Sequence, residues 1–333
     1  MLARLLRRII LFQLALAVLI AMALIHLTRL APAIAWPVAM SWLLVLPMLS
    51  MLRSFSRARR HQGAQAEASA PSHWLRAVRV EIVCIWQLFL WRQVIASPTE
   101  PEGLSEAPTT ASGVARVPVL LIHGFVCNHR IWDEMSAHLR SQGHPVRRID
   151  LEPLFCSIDQ YASRIEAAVA ATLAEHRCEH LAVIGHSMGG LATRAWLRAY
   201  PQRLANVTVA ISLGTPHRGT LIDPAPRLTN SREMAYGSEW LAALADGETP
   251  SLRSRIHASI ARQDQIVFPQ TEQWLPGMAV RVWDAMGHME LCRAPAVLAE
   301  VTRQIREAEP AGAAAEGPGP APAYAAFSNS PRS

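Results

Sequence analysis

Leu181-Ala182-Val183-Ile184-Gly185-His186-Ser187-Met188-Gly189-Gly190, with Leu191 beginning the next segment, is an apolar run that ends in a serine flanked by glycines. Four apolar residues in succession suit a strand buried on both faces, and a helical pattern starts directly afterwards. A serine between Gly185 and Gly189 fits a cramped strand-to-helix turn, where bulkier flanking side chains would collide with neighbouring backbone. Such a turn lifts the hydroxyl to the carboxyl end of a sheet, where open α/β folds bind ligands.

Outward from this stretch, short apolar runs alternate with longer segments of helical period. The runs are 117–122, 146–151, 181–185, 207–213, 256–261 and 279–283. This alternation predicts a mostly parallel six-stranded sheet with crossover helices, one of them over 158–174. About 190 residues suffice for it as one domain, here 116–308. The Ala/Pro/Gly-rich segment 309–333 reads as a disordered tail.

The chemistry such a serine needs is spread along the same region. A hydroxyl is a weak nucleophile and requires a base, and the base requires an orienting acid. His288, after Gly287, is the candidate base, and Asp264, just beyond the run ending at Ala261, is the candidate acid. Asp284 competes for that role but would have to reach its imidazole from four residues away. His123-Gly124-Phe125 follows the first strand; Gly124 lets the backbone bend so that the Phe125 N–H, together with that of Met188, forms an oxyanion hole. His123 and His217 are read as shaping the site or touching the substrate, and His186 as packing beside the turn. The absence of Lys from a chain with 32 basic residues excludes Lys-based catalysis.

These residues resemble the α/β-hydrolase superfamily, and within it the bacterial lipases and esterases. The resemblance covers about 116–305 and rests on Ile122-His123-Gly124-Phe125, on 185–190, on Gly214-Thr215-Pro216-His217-Arg218-Gly219-Thr220, on 262–267 followed by Pro269, and on Gly287-His288. It implies hydrolysis of carboxylic esters through an acyl-serine with no organic cofactor; the membrane tether read below makes lipid or acyl esters the expected substrates. Similar lipases that bind calcium carry an acid shortly after the catalytic histidine. Only Glu290 stands there, and no metal site is assigned. The five cysteines are odd in number and without a CxxC pair, which excludes a disulfide scaffold.

The first 95 residues differ in kind. They hold 11 Arg against Glu67 and Glu81, while the rest of the chain is net acidic. The basic excess flanks apolar runs and does not sit on a folded module, which argues against nucleic-acid binding. Runs over 9–25 and 30–52 are long enough for two transmembrane helices, an anchor over 1–60. Arg4, Arg7 and Arg8 precede the first span and Arg53, Arg57, Arg59 and Arg60 follow the second, so the positive-inside bias puts both ends, and the catalytic domain, on the cytoplasmic side of a bacterial inner membrane. Residues 61–115 read as a linker carrying a short apolar segment, Val80 to Trp91, interrupted by Glu81 and Gln87 and either interfacial or packed on the domain. The helix expected at 239–245 is either a lid or a packed insertion.

A membrane-anchored serine esterase or lipase is therefore expected. An acyltransferase or thioesterase with the same three residues is the alternative, as is a catalytically silent, membrane-tethered lipid-binding module. No protein partner is legible.

Overall fold

Six strands form where the apolar runs predict them: β1 (Val119–Ile122), β2 (Val146–Ile149), β3 (Leu181–His186), β4 (Val207–Leu213), β5 (Ile256–Ala261) and β6 (Ala279–Trp283). The computed structural model describes residues 1–62, 69–95, 116–222 and 228–310; of the tail read at 309–333, residues 311–333 lie outside them. All five strand pairings are parallel, in the order β2-β1-β3-β4-β5-β6. The chain leaves β1 toward one edge and then returns to build outward from β3 toward the other, so the topological switch point falls between β1 and β3. That is where a parallel sheet opens a crevice at its carboxyl ends. The two turns read as functional, after β1 and after β3, flank it.

Before the sheet come α1 (Leu2–Thr28), α2 (Pro32–Arg60) and α3 (Pro71–Trp86), the last continued by a π-helical turn over Gln87–Arg92. Helices α1 and α2 are each long and apolar enough to cross a membrane. They join through Arg29, which caps α1 in the left-handed conformation at φ 59°. Ala17 and Ala21 on α1 and Ala35 and Ala39 on α2 are fully buried, whereas Leu11, Phe12, Leu19, Ile34 and Leu49 are exposed. Small residues four apart let two helices approach closely, while the outward faces stay apolar.

The segment after α2 is more than a linker. Helix α3 begins nine residues before the apolar run read at 80–91, with Pro71 at its first position. It packs on the sheet domain: Cys84 and Leu88 join the same apolar core as Val119, Leu121 and Ile184. Trp74, which an interfacial helix would place at headgroup depth, is instead buried edge-on against Phe55, at 6.2 Å between ring centres.

Helices α4 (Asp133–Ser141), α5 (Tyr161–His176), α6 (Met188–Ala199), α7 (Thr229–Glu233), α8 (Glu239–Asp246), α9 (Pro250–Ser254) and α10 (Pro295–Ala308) complete the domain. Alternation along the strands divides the core into two. Val119 and Leu121 face α4 and α10, and Leu120 and Ile122 face α5 and α6. Each fully buried aliphatic side chain of β1 and β3 stabilises the fold by about 1.5–3 kcal/mol. Leu241 and Leu244 of α8 also enter this second core, so α8 is a packed insertion and not a lid over the switch point.

Candidate active site

Ser187 stands between β3 and α6 at φ 54° and ψ −123°, a conformation that costs a non-glycine residue free energy and persists only when its surroundings enforce it. Those surroundings are tight. A Cβ on Gly185 would sit 2.6 Å from the Gly190 nitrogen, and one on Gly124 would sit 2.8 Å from the Ser187 Cβ. The turns after β1 and β3 are thus pressed together, and the flanking glycines make that possible. The Ser187 N–H donates to the Leu213 carbonyl at 2.8 Å, tying the turn to β4.

Met188 opens α6, so its N–H is among the donors that a helix start leaves without an intrahelical partner. Phe125 lies in the turn after β1 and shares a cavity wall with Ser187. His123 shapes that turn. Its Nε2 accepts from the Leu151 N–H at 2.9 Å, which leaves Nδ1–H to donate to the Gly124 carbonyl at 2.8 Å.

His288 and Asp264 meet across the carboxyl ends of β5 and β6. The His288 Nδ1–H donates to Asp264 Oδ2 at 2.7 Å, and both residues are buried. Asp264 Oδ1 accepts from the Ile266 and Val267 N–H groups, each at 2.8 Å, which fixes the carboxylate plane. With Nδ1 committed, Nε2 is the nitrogen free to take a proton. Burial opposes charge on the imidazole, but the Asp264 charge and hydrogen bond, helped by Glu81, outweigh it and raise the His288 pKa above its ordinary value. Asp284 is elsewhere: its carboxylate is half-exposed and binds Arg262 at 2.5 Å.

The other histidines separate cleanly. His186 packs 4.5 Å from the His288 ring, its Nε2 donating to the His288 carbonyl at 3.3 Å. Burial, then the proximity of His288, pushes its pKa well down, so it is neutral. His217 is not on the cavity wall. It lies in a buried network with Ser212, at 2.8 Å from Nε2, and with Arg194, so it supports the Gly214–Thr220 turn from behind. Glu290 is committed to Arg76 through two contacts of 2.7 and 3.0 Å. Among the described residues no group of three or more His, Cys, Asp and Glu side chains is arranged to hold a metal.

Ser187, His186 and His288 open onto one cavity of ≈280 Å³. Its remaining wall is mainly apolar and draws on distant parts of the chain: Phe125 after β1, Met234 after α7, Ile266 and Val267 beside Asp264, and Ile85 and Phe89 from α3 and its π turn. The contribution of α3 was not legible in the sequence, because a helix 30 residues ahead of the first strand carries no local mark of where it docks.

Comparison with known proteins agrees with this fold. The model of the alpha/beta hydrolase family matches residues 119–331. A triacylglycerol lipase of Burkholderia plantarii is 32% identical over 145 residues, 39% of this chain and 39% of that protein. A 1-acylglycerol-3-phosphate O-acyltransferase ABHD5 of Rattus norvegicus is 26% identical over 150 residues, 41% of this chain and 38% of that protein. The matches thus span about two fifths of the length of these curated relatives. Among solved structures, the mature Bacillus licheniformis lipase BlEst2 superposes with a TM-score of 0.53 at 14% identity, covering 62% of this chain and 99% of that one, a likeness of fold. With strand order, serine turn and family match coinciding over the same residues, the chain belongs to the alpha/beta hydrolase family.

Proposed function

We propose that the chain is a membrane-anchored serine hydrolase that cleaves carboxylic esters of lipid or acyl type. The observation that carries this reading is the buried His288–Asp264 pair, with His288 on the wall of the same apolar cavity as Ser187. In this reading Ser187 Oγ attacks the ester carbonyl while His288 Nε2 takes its proton. The Phe125 and Met188 N–H groups hold the oxyanion. His288 then gives the proton to the departing alcohol, and a water, deprotonated by the same nitrogen, releases the acid and restores Ser187. Ester and water are consumed and acid and alcohol are formed.

A lipid source for the substrate is supported by what surrounds the cavity. The start of α1 and the end of α2 both rest on the hydrolase domain. Leu2 and Leu6 pack with Leu154, Phe89 and Val126, the Arg7 Nε–H donates to the Val94 carbonyl at 2.7 Å, and Phe55 packs with Phe268 near the Ser54 bond to the Gln265 carbonyl. The connection at Arg29 is therefore the end of the hairpin away from the domain. The arginines on either side of the hairpin lie at the domain end, and the positive-inside bias puts that end in the cytoplasm of a bacterial cell. In this organisation 1–60 anchors, α3 docks, 116–308 catalyses, and the protein's partners are its ester and the bilayer.

Acyl transfer to an alcohol, in place of water, is the second reading, favoured by the likeness to an acyltransferase. The test uses the full chain in detergent with p-nitrophenyl esters of increasing length, with and without a glycerol-type acceptor. Hydrolysis is expected to be fastest for chains long enough to fill the apolar cavity, and Ser187→Ala is expected to lower kcat by about 10³-fold or more. Equal rates in the variant and the parent chain would remove the mechanism, and acylated acceptor in place of free acid would favour the second reading.

A further inference from the structure

Glu81 is fully buried in the middle of α3, outside the segment matched to the hydrolase family. An isolated buried carboxylate is costly and calls for compensating partners. Glu81 finds them in the active-site loops. Its Oε1 accepts from the Glu290 N–H at 2.8 Å, and its Oε2 accepts from the Gln265 side-chain amide at 2.8 Å. Gln265 turns its own carbonyl oxygen to the His288 N–H at 3.2 Å. Gly287 leaves the space: a Cβ there would overlap the Glu81 side chain. One carboxylate thus grips the histidine loop on both sides of His288 and, through Gln265, the residue next to Asp264.

The charges nearby sharpen the point. Arg76 is committed to Glu290, and Arg293 to Glu134 at 2.8 Å. Cys84 on α3, whose thiol burial pushes up to about 12, and Cys292 on the histidine loop, also raised by burial, are neutral. The cationic form of His288 is the charge that interacts favourably with Glu81, while burial raises the Glu81 pKa to about 7.

Resting on the serine-hydrolase reading, we propose that Glu81 is a positioning residue of the active site. It holds the His288 loop in place and favours charge on the imidazole as Ser187 gives up its proton. The helix between hairpin and domain is then part of the catalytic apparatus as well as part of a tether.

The experiment compares the full-length chain with Glu81→Gln. The amide keeps the size but removes the charge and presents donors where Gln265 and Glu290 already donate. The expected result is a kcat lowered about tenfold or more at unchanged KM, with the acid limb of the pH profile displaced downward by about half a pH unit or more, because loss of a nearby negative charge lowers the His288 pKa. Histidine NMR titration, with the His288 resonance assigned from His288→Asn, is expected to show the same displacement. A variant that loses thermal stability but keeps the parent kcat and acid limb would reduce Glu81 to packing and overturn the proposal. If Glu81→Gln does not fold, the parent titration decides. Because a proton on either group disfavours a proton on the other, coupling to Glu81 broadens the His288 NMR titration below unit slope, and a single-group curve of unit slope overturns the proposal. A parent chain that cleaves no ester would defeat the serine-hydrolase reading, and the NMR titration would still decide the role of Glu81.

Discussion

Asp264→Asn is expected to lower kcat on p-nitrophenyl esters by about 10³- to 10⁴-fold while leaving KM and thermal stability close to those of the parent. The size of the effect follows from hydrogen-bond direction. Oδ1 of Asp264 accepts two backbone N–H groups, at Ile266 and Val267, and Oδ2 accepts the His288 Nδ1–H. An asparagine must keep its carbonyl oxygen toward the two backbone donors, so its NH₂ faces Nδ1. The imidazole then accepts at Nδ1 and carries its proton on Nε2, which can no longer act as the base. Retained backbone bonds preserve the turn and hence the fold. Steady-state kinetics with a melting curve on the same preparation checks both halves, and activity within tenfold of the parent would contradict the role given to Asp264.

Gly185→Ala carries the second large effect, on stability and activity together. The added Cβ would lie 2.6 Å from the Gly190 nitrogen and 2.7 Å from the Gly189 carbonyl carbon, distances that real Cβ atoms do not show. Both are backbone atoms of the first turn of α6, so no side-chain rotation relieves the clash. The helix must shift away from β3. The expected cost is about 3 kcal/mol, at the upper end for overpacking. For a domain of this size that lowers Tm by roughly 6–12 °C. Since α6 carries Met188 and follows Ser187 directly, the fraction that remains folded should also lose activity. A Tm within 2 °C of the parent, with unchanged turnover, would mean that the turn is less constrained than its geometry indicates.

How much of this was legible in the sequence depended on whether the physics was local. The serine turn was, because Gly185, Ser187 and Gly189 are close in sequence and follow a run that only a doubly buried strand explains. The strands were legible for the same reason, to within a few residues at their ends, where Val117 and Leu151 lie just outside β1 and β2. Asp264 could be preferred over Asp284 because reach along the chain already disfavoured the nearer acid. Glu81 could not be placed this way. In sequence it interrupts an apolar stretch, as a solvated position would, and only the docking of α3 buries it. The signal that would have pointed to it is its isolation: a single acid on an otherwise apolar helix face needs a partner from elsewhere in the fold. For His217 the sequence leaves touching the substrate and shaping the site both open, because its motif lies beside the cavity; its side chain turns toward Ser212 and Arg194.

Nucleophilicity at Ser187 is the claim from which the remainder follows, and covalent capture tests it most directly. Full-length protein is treated with a fluorophosphonate and the adduct is located by mass spectrometry, in parallel with Ser187→Ala. The account predicts one phosphonyl group on the peptide containing Ser187 and none on the corresponding peptide of the variant. An adduct on another residue, or a folded parent chain that takes up no probe, would contradict it.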